Sequence, residues 1–495
     1  MNRGLWCVAI LSVFWACGGE DAQPGASADG GGAGEPAVGG KSPIAGGSAK
    51  PAGGAGGAAE SPGGAPGSSA GDTQTLGAAA GAAGADASSA GQPAAGATGM
   101  AGAAGAASVE CPATVTGANC DLPRFEVLTL PNTATLSRGM GLSADGSVVI
   151  GNTGTAQLQA GFRWTHAGGA LLLDALPTQS GSIADAISAD GQVIVGRSGA
   201  AFEGVYWPSG KATPQSLLDA SWKSLLPTHV SANGSVIAGV GTLTAGSKLA
   251  PFRWTKAGGA VALGNLTASI ISIVGMSSDG SVIVGNSDDL AVDAFIWKAT
   301  DPLKVSALPT LAGDDQTKVL ALSADGSMAV GDSMKAASGR RVRWPSGGQP
   351  VLLDALDPGT PWNCGGGPFT TCSSMSSDGS IIYTQRAGIA QRWTAAKGLE
   401  ALPVVTGKSN CVPFSPELPQ LDWIPGNCIG PPVAIVWDDQ DKASRMDAVL
   451  ATFGVTAPEL TNAPITVVRA VSANGDTILG DNFNTTVVWV ARVLP

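Results

Sequence analysis

The chain has 495 residues, a formal net charge of −11, 72 glycines and 32 prolines, and 13% of its residues are charged. That balance argues against nucleic acid or an anionic surface as partner, since no excess of Lys and Arg is present to neutralise phosphate. With two histidines in all, there is little imidazole for metal binding or for general acid–base catalysis.

Residues 1–16 are Met-Asn-Arg followed by an apolar run, too short for a membrane span and suited to a signal peptide. The run ends Phe14-Trp15-Ala16-Cys17-Gly18-Gly19. A small residue before a cysteine resembles a bacterial lipoprotein signal, which implies a diacylglycerol on the Cys17 thiol. Phe14 and Trp15 depart from that pattern, which favours smaller or aliphatic residues there; an ordinary signal peptide cut nearby is the competing reading. Residues 17–108 are dominated by Gly, Ala, Ser and Pro and contain no aromatic residue. Such a stretch cannot bury enough apolar surface to overcome chain entropy, so it is expected to be a disordered linker. Its typical reach is about 50 Å. A lipid at one end and a folded body at the other would give it a purpose.

Beyond residue 124 one unit recurs, and a recurring unit fixes architecture before anything else. It is clearest at Gly141-Leu142-Ser143-Ala144-Asp145-Gly146-Ser147-Val148-Val149-Ile150-Gly151. The Ser-x-Asp/Asn-Gly core returns at Ser188, Ser231, Ser277, Ser323, Ser376 and Ser472, and a companion Trp at 164, 207, 254, 297, 344, 393, 437 and 489. Asp-Gly or Asn-Gly between extended segments is a strong hairpin signal. The run after it, such as Val193-Ile194-Val195 or Val282-Ile283-Val284, is apolar without alternation and suits a strand covered on both faces. The Trp strand alternates, with apolar residues such as Phe162, Phe252 and Phe295 two positions earlier. Arg163, Arg253, Arg343 and Arg392 stand between, so its opposite face is expected to be wet. A Leu-rich strand closes the unit. Four strands in about 45 residues, repeated, is the arithmetic of a propeller blade.

The gap from Ser376 to Ser472 is two periods, with Trp437 inside it. The expected fold is therefore all-β, a β-propeller of about eight four-stranded blades, or seven if the decayed unit around Trp437 forms none. Residues 125–130 (Phe-Glu-Val-Leu-Thr-Leu) match the Leu-rich strand that the last unit lacks, so they are expected to complete the last blade and close the ring. The layout is then a signal peptide 1–16, a lipid-anchored linker 17–108 and a repeat domain 109–495.

The Ser-Ala-Asp-Gly-Ser-Val-Val-Ile-Gly pattern, the Phe-x-Trp strand and the Gly-Gly turn together resemble the extracellular HAF-repeat proteins of bacteria, over residues 124–495. The histidine of the family's His-Ala-Phe tripeptide is absent: Ala160-Gly161-Phe162, Ala250-Pro251-Phe252 and Asp293-Ala294-Phe295 stand in its place. No role resting on that histidine carries over. The resemblance implies a secreted repeat module.

Setting aside Cys7 in the signal peptide and Cys17, six cysteines remain as near neighbours: Cys111 and Cys120, Cys364 and Cys372, Cys411 and Cys428. Local spacing favours these three disulfides among the fifteen pairings open to six cysteines. No spacing suits a metal, and no cofactor is implied. The run Ser216–Leu226 reads as a short helix, and Arg445–Phe453 as a helix with Met446, Val449, Leu450 and Phe453 on one face against the propeller flank.

His166 and His229 sit in different repeats and read as exposed turn residues, with no nucleophile-elbow sequence near either. The repeated aspartates are replaced by Asn233 and Asn474 with nothing else changed, which suits a turn and not a cation ladder. Asp288, Asp289, Asp314 and Asp315 are adjacent in loops. Trp222, Trp362 and Trp423 lie outside the repeat and are the candidate ligand contacts, because function on a repeat scaffold usually sits where the repeat is broken. The expected protein is exported to the cell envelope, at the outer membrane or cell surface. It would be a non-enzymatic lipoprotein held to the membrane by lipid and presenting a scaffold to glycan or a surface protein. The alternative is a secreted polysaccharide hydrolase or lyase, which would need a carboxylate pair at the channel.

Overall fold

The computed structural model describes residues 125–492, apart from 132–133, 156–157, 202, 290, 336–337, 354–372, 387, 414–422, 430–431, 439, 453–454, 456–464 and 483–485. Eight antiparallel four-stranded sheets follow one another around a ring. In blades 1 to 7 the strands lie in sequence order from the central channel outward, each followed by its antiparallel neighbour. Blade 1 is Leu136–Leu142, Val149–Gly154, Gln159–Thr165 and Gly169–Leu172. Blade 7, the decayed unit, is complete: Ser409–Pro413, Trp423–Ile429, Val433–Asp438 and Ala443–Arg445. Residues 414–422, where its Ser-x-Asp-Gly turn would fall in sequence, lie outside the described residues.

Blade 8 is shared between the two ends of the domain. Val467–Val471, Thr477–Asp481 and Val488–Arg492 form its inner three strands, and Phe125–Val127 is its outermost. The register is Phe125 opposite Ala491 and Val127 opposite Trp489. Leu128 continues the pairing through its N–H to the Val488 carbonyl at 2.9 Å. The match of residues 125–130 to the missing strand is therefore borne out. Leu128 occupies the niche filled elsewhere by Leu173, Leu217, Leu263, Leu308, Leu353 and Leu402, all buried at the end of an outermost strand. In blade 7 that place falls to Met446.

The second strand of each blade is covered on both sides, as the unbroken apolar runs require: Val149, Ile150, Ile283 and Val284 have no exposed surface. All eight repeat tryptophans are buried. Three of their indole N–H groups also pin one blade to the segment leaving the blade before. Trp207 donates to Asp174 O, Trp344 to Pro309 O and Trp437 to Pro403 O, at 2.6 to 3.1 Å. Gly151 ends the apolar run because a Cβ there would collide with the Arg138 carbonyl and the Phe162 ring.

One further position links the blades. In blades 1 to 5, 7 and 8 the innermost strand carries a bulge. The residue after the run-ending glycine often reaches across to this strand of the next blade. Asn152 accepts from Ala184 N–H and donates to Ala184 O; Asn286 does the same with Val319, and Asn427 with Val468. An amide can both give and accept; a carboxylate only accepts. Where Asp takes the position it is buried beside an arginine, Asp332 with Arg341 at 2.8 Å and Asp481 with Arg469 at 2.7 Å.

Two expectations are corrected. The arginines of the Trp strands are only partly exposed, because both faces of a blade pack on neighbouring blades. Arg253 lies over the Trp297 ring at 6.0 Å and Arg343 over Trp393 at 4.9 Å, each on the next blade. The run 216–226 is not a helix: Gln215–Ser216 and Trp222–Val230 are strands, the second the innermost of blade 3. The helix near the C terminus does form, as Met446–Thr452, with Met446, Val449 and Leu450 buried. It packs between blades 7 and 8, against Ala434, Val436, Val468, Ile478 and Trp489.

Candidate functional site

The seven Ser-x-Asp/Asn-Gly turns crowd the mouth of the channel, all on one face. The serine is buried and ties its own turn. Ser143 Oγ donates to Asp145 Oδ1 at 2.5 Å and accepts Val148 N–H at 3.0 Å, while Asp145 Oδ1 also takes Ser147 N–H at 3.0 Å. Glycine supplies the left-handed residue, with φ of 68° at Gly146. Asn233 and Asn474 accept the corresponding serine bonds through Oδ1, at 3.0 and 2.7 Å. The repeated aspartate is thus a turn residue, as the Asn replacements implied. At Asp279 the Ser277 hydroxyl and the Ser281 N–H hold the carboxyl below its ordinary range. At Asp378 the Ser380 N–H and the Ser376 hydroxyl do so.

The turns are strung together by backbone hydrogen bonds. Ala473 N–H donates to Ala144 O, Ala144 to Ala189, Asp190 to Ala232, Ala232 to Ser278, Ser278 to Ala324, and Asp325 to Ser377, at 2.7 to 3.1 Å. Among the described residues this necklace is interrupted at blade 7. Inside it lies a cavity of about 270 Å³. Its mouth is small residues such as Ala144, Ala232 and Ser278, and its wall aliphatic ones such as Leu142, Ile187, Met276 and Leu322. Among the described residues no carboxylate and no histidine lines it. Around the mouth Asp145, Asp190, Asp279, Asp325 and Asp378 are exposed. Further out on the same face, where third strands turn into fourth, stand Lys211, Lys256, Lys298, Lys304, Lys397 and Lys442. The face is acidic at its centre and basic at its margin.

The candidate residues from the sequence do not converge. Trp222 is buried in the core of blade 3, edge-on to Phe252 and donating to Ala260 O at 3.1 Å, so its ring is packing and not a surface for a ligand. Trp423 opens the second strand of blade 7, paired with Asp438. Trp362, Cys17, Cys111, Cys120, Cys364 and Cys372 lie outside the described residues. Cys411 and Cys428 form a disulfide between adjacent strands of blade 7, where they are direct register partners. Asp314 is committed to Arg340 at 2.7 Å and to Ser333. Asp288 accepts the backbone N–H groups of Ser269 and Ile270.

The histidines are placed differently from each other. His166, in a turn and partly exposed, is 2.8 Å from Glu126 of the closing strand, and Arg492 approaches the same carboxylate oxygen at 3.6 Å. His229 is not in a turn. It sits in the innermost strand of blade 3, hydrogen-bonded to the Thr228 hydroxyl at 2.9 Å and to the Val274 carbonyl of blade 4. Although only partly shielded by surface area, its ring is packed closely enough that burial pushes its pKa down to about 4. Among the described residues no group of three or more His, Cys, Asp or Glu is placed to hold a metal ion, and no helix is long and apolar enough to cross a membrane.

No protein-family model matches the sequence, and no curated protein matches it. Solved structures do share the fold. An oligogalacturonate lyase from Vibrio parahaemolyticus is 13% identical, covering 75% of this chain and 96% of its own, with a TM-score of 0.43. A prolyl endopeptidase is 9% identical over 63% of this chain and 50% of its own, with a TM-score of 0.44. The Cps50 (Swd1) β-propeller domain of Myceliophteria thermophila is 10% identical over 75% and 100%, with a TM-score of 0.40. At these identities and scores the likenesses carry no argument about this chain; its eight four-stranded sheets themselves make the domain an eight-bladed β-propeller.

Proposed function

We propose that this is an exported, envelope-anchored lipoprotein of the HAF-repeat kind, whose propeller is a non-enzymatic scaffold that binds a glycan or a surface protein. The observation that carries the reading is the channel mouth. Its serines and aspartates are consumed by their own turns, and the cavity behind them is lined by small and aliphatic residues. Hydrolysis of a glycosidic bond needs one carboxyl to give a proton and another to act on the sugar. At the rim Asp279 and Asp378 are held below their ordinary range, which suits neither donor nor base at neutral pH. An acidic centre also disfavours a polyanionic chain entering the channel.

The test uses the full-length protein on immobilised glycans and on envelope extracts, with reducing-end and unsaturated-product assays run on the same polysaccharides. Saturable binding without product supports the scaffold. Product formation would transfer the reading to a hydrolase or lyase. The anchor is tested separately: Cys17→Ser should release the protein from membranes or leave its signal uncut, and unchanged membrane fractionation and mass would remove that part.

A further inference from the structure

The sequence holds two Asn-Gly dipeptides, Asn233-Gly234 and Asn474-Gly475, and both stand in the Ser-x-Asn-Gly turn, in blades 3 and 8. Asn-Gly is prone to deamidation because glycine leaves the following backbone nitrogen unhindered. The Gly nitrogen attacks Asn Cγ and loses its proton to solvent base, while the Cγ–Nδ2 bond breaks and ammonia leaves. Water then opens the succinimide at either carbonyl, giving aspartate or isoaspartate. Water is the only co-reactant.

The turn engages both reacting groups. Gly234 N–H donates to Ser231 O and Gly475 N–H to Ser472 O, each at 2.9 Å. Asn233 Oδ1 accepts from Ser231 Oγ at 3.0 Å, Ser235 N at 3.0 Å and Ser235 Oγ at 2.7 Å. Asn474 Oδ1 accepts from Ser472 Oγ at 2.7 Å, and its amide nitrogen donates to Asp476 Oδ2 at 2.6 Å. Both asparagines are exposed, so access of water is not what limits the reaction.

The repeat also dictates which product fits. Aspartate already fills the same place at 145, 190, 279, 325 and 378, taking the serine bond at 2.5 to 2.7 Å. Ordinary aspartate at 233 would keep every bond that Oδ1 now accepts and add one negative charge to the channel rim; at 474 it would keep the Ser472 bond but replace the amide that donates to Asp476 with a second carboxylate. Isoaspartate inserts a methylene into the main chain, directly after the residues that make the Ala232 N–H to Ser278 O and Ala473 N–H to Ala144 O links.

We propose that Asn233 and Asn474 are deamidation sites which the turn holds unreactive in the folded protein, and that at 233 ordinary aspartate is the product the ring tolerates. The full-length protein is aged at mildly alkaline pH, folded or in urea, and both sites are followed by peptide mass spectrometry with isoaspartate quantified. Conversion should be about tenfold or more slower when folded, since reaction must wait for local opening. Ser231→Ala should speed Asn233 several-fold in the folded protein, while Asn474 in the same molecules keeps its rate and reports an intact fold. Equal rates in folded and unfolded chains overturn the proposal, as does an unchanged Asn233 rate in S231A. Isoaspartate accumulating at 233 in chains that keep the wild-type melting temperature overturns the product claim.

Discussion

Ring closure is put to the test by Leu128→Ala. Leu128 is 4% exposed and packs against Val149, Phe162 and Trp164 of blade 1 and Leu479, Val488 and Val490 of blade 8. Leu263 sits in the equivalent niche at 2% exposed, but in a strand continuous with its own blade. Truncating a leucine so buried costs about 2–5 kcal/mol, from lost transfer energy and the cavity left behind. L263A should show that full loss in guanidinium unfolding followed by tryptophan fluorescence. L128A should show the same loss, or a smaller one if the closing strand detaches first. Detachment releases about 1–2 kcal/mol of ordering entropy per residue, which caps what the mutation can cost. The two cases separate by hydrogen exchange at the Leu128 amide, bonded to Val488 O in the closed ring. A loss under about 0.5 kcal/mol for L128A beside a full loss for L263A, with the Leu128 amide already unprotected in the wild type, would mean the ring is open.

Other outcomes follow from the same geometry. Replacing both Cys411 and Cys428 by serine, residues separated by 17 positions, should cost up to about 3 kcal/mol, read as a shift in unfolding midpoint that reductant reproduces in the wild type. Because His229 titrates near 4 when folded and at the usual 6.5 when unfolded, the unfolded chain binds more protons between those values. Stability should therefore fall as pH drops from 6.5 to 4, by up to about 3 kcal/mol and less where solvent reaches the ring. His229→Gln should flatten that part of the profile, and an unaltered profile would refute the assignment. Arg341→Met should cost about 3–5 kcal/mol by stranding Asp332, whereas the double change with Asp332→Leu should recover most of it. No recovery in the double variant would show that the arginine matters chiefly through Ser373 and Thr384.

Much of the ring was legible because its turns are spelled by residues with one conformational use. Ser-x-Asp-Gly marks each hairpin, and the unbroken Val/Ile runs mark strands covered on both sides. The helix at 446–452 was legible too, since Met446, Val449 and Leu450 are spaced for one helical face. What failed was inference from a single strand about its surroundings. Alternation in the Trp strand was taken to mean one wet face, yet a blade has a neighbour on each side, and Arg343 lies over the indole of Trp393. Trp222 stands out because it breaks the repeat, and His229 reads as an exposed turn residue, but both belong to the innermost strand of blade 3, which runs nine residues. The links between blades at Asn152, Asn286, Asn427, Asp332 and Asp481 also have a signal in the sequence: in these five blades a polar residue stands one place after the glycine that ends the apolar run.

The closing strand also decides how the ring bears load. Phe125 lies opposite Ala491, so the chain before the first strand and the chain after the last leave the seam at the same rim. Pulling those two ends apart would part the pairs one after another, like a zip, at low force. A pull between the N-terminal segment and something gripping the opposite face runs along the strand instead. It loads the three register pairs together, with Leu128 lodged between blades as a catch. The seam is thus weak to peeling and strong to shear, and the direction of tension decides whether the ring opens.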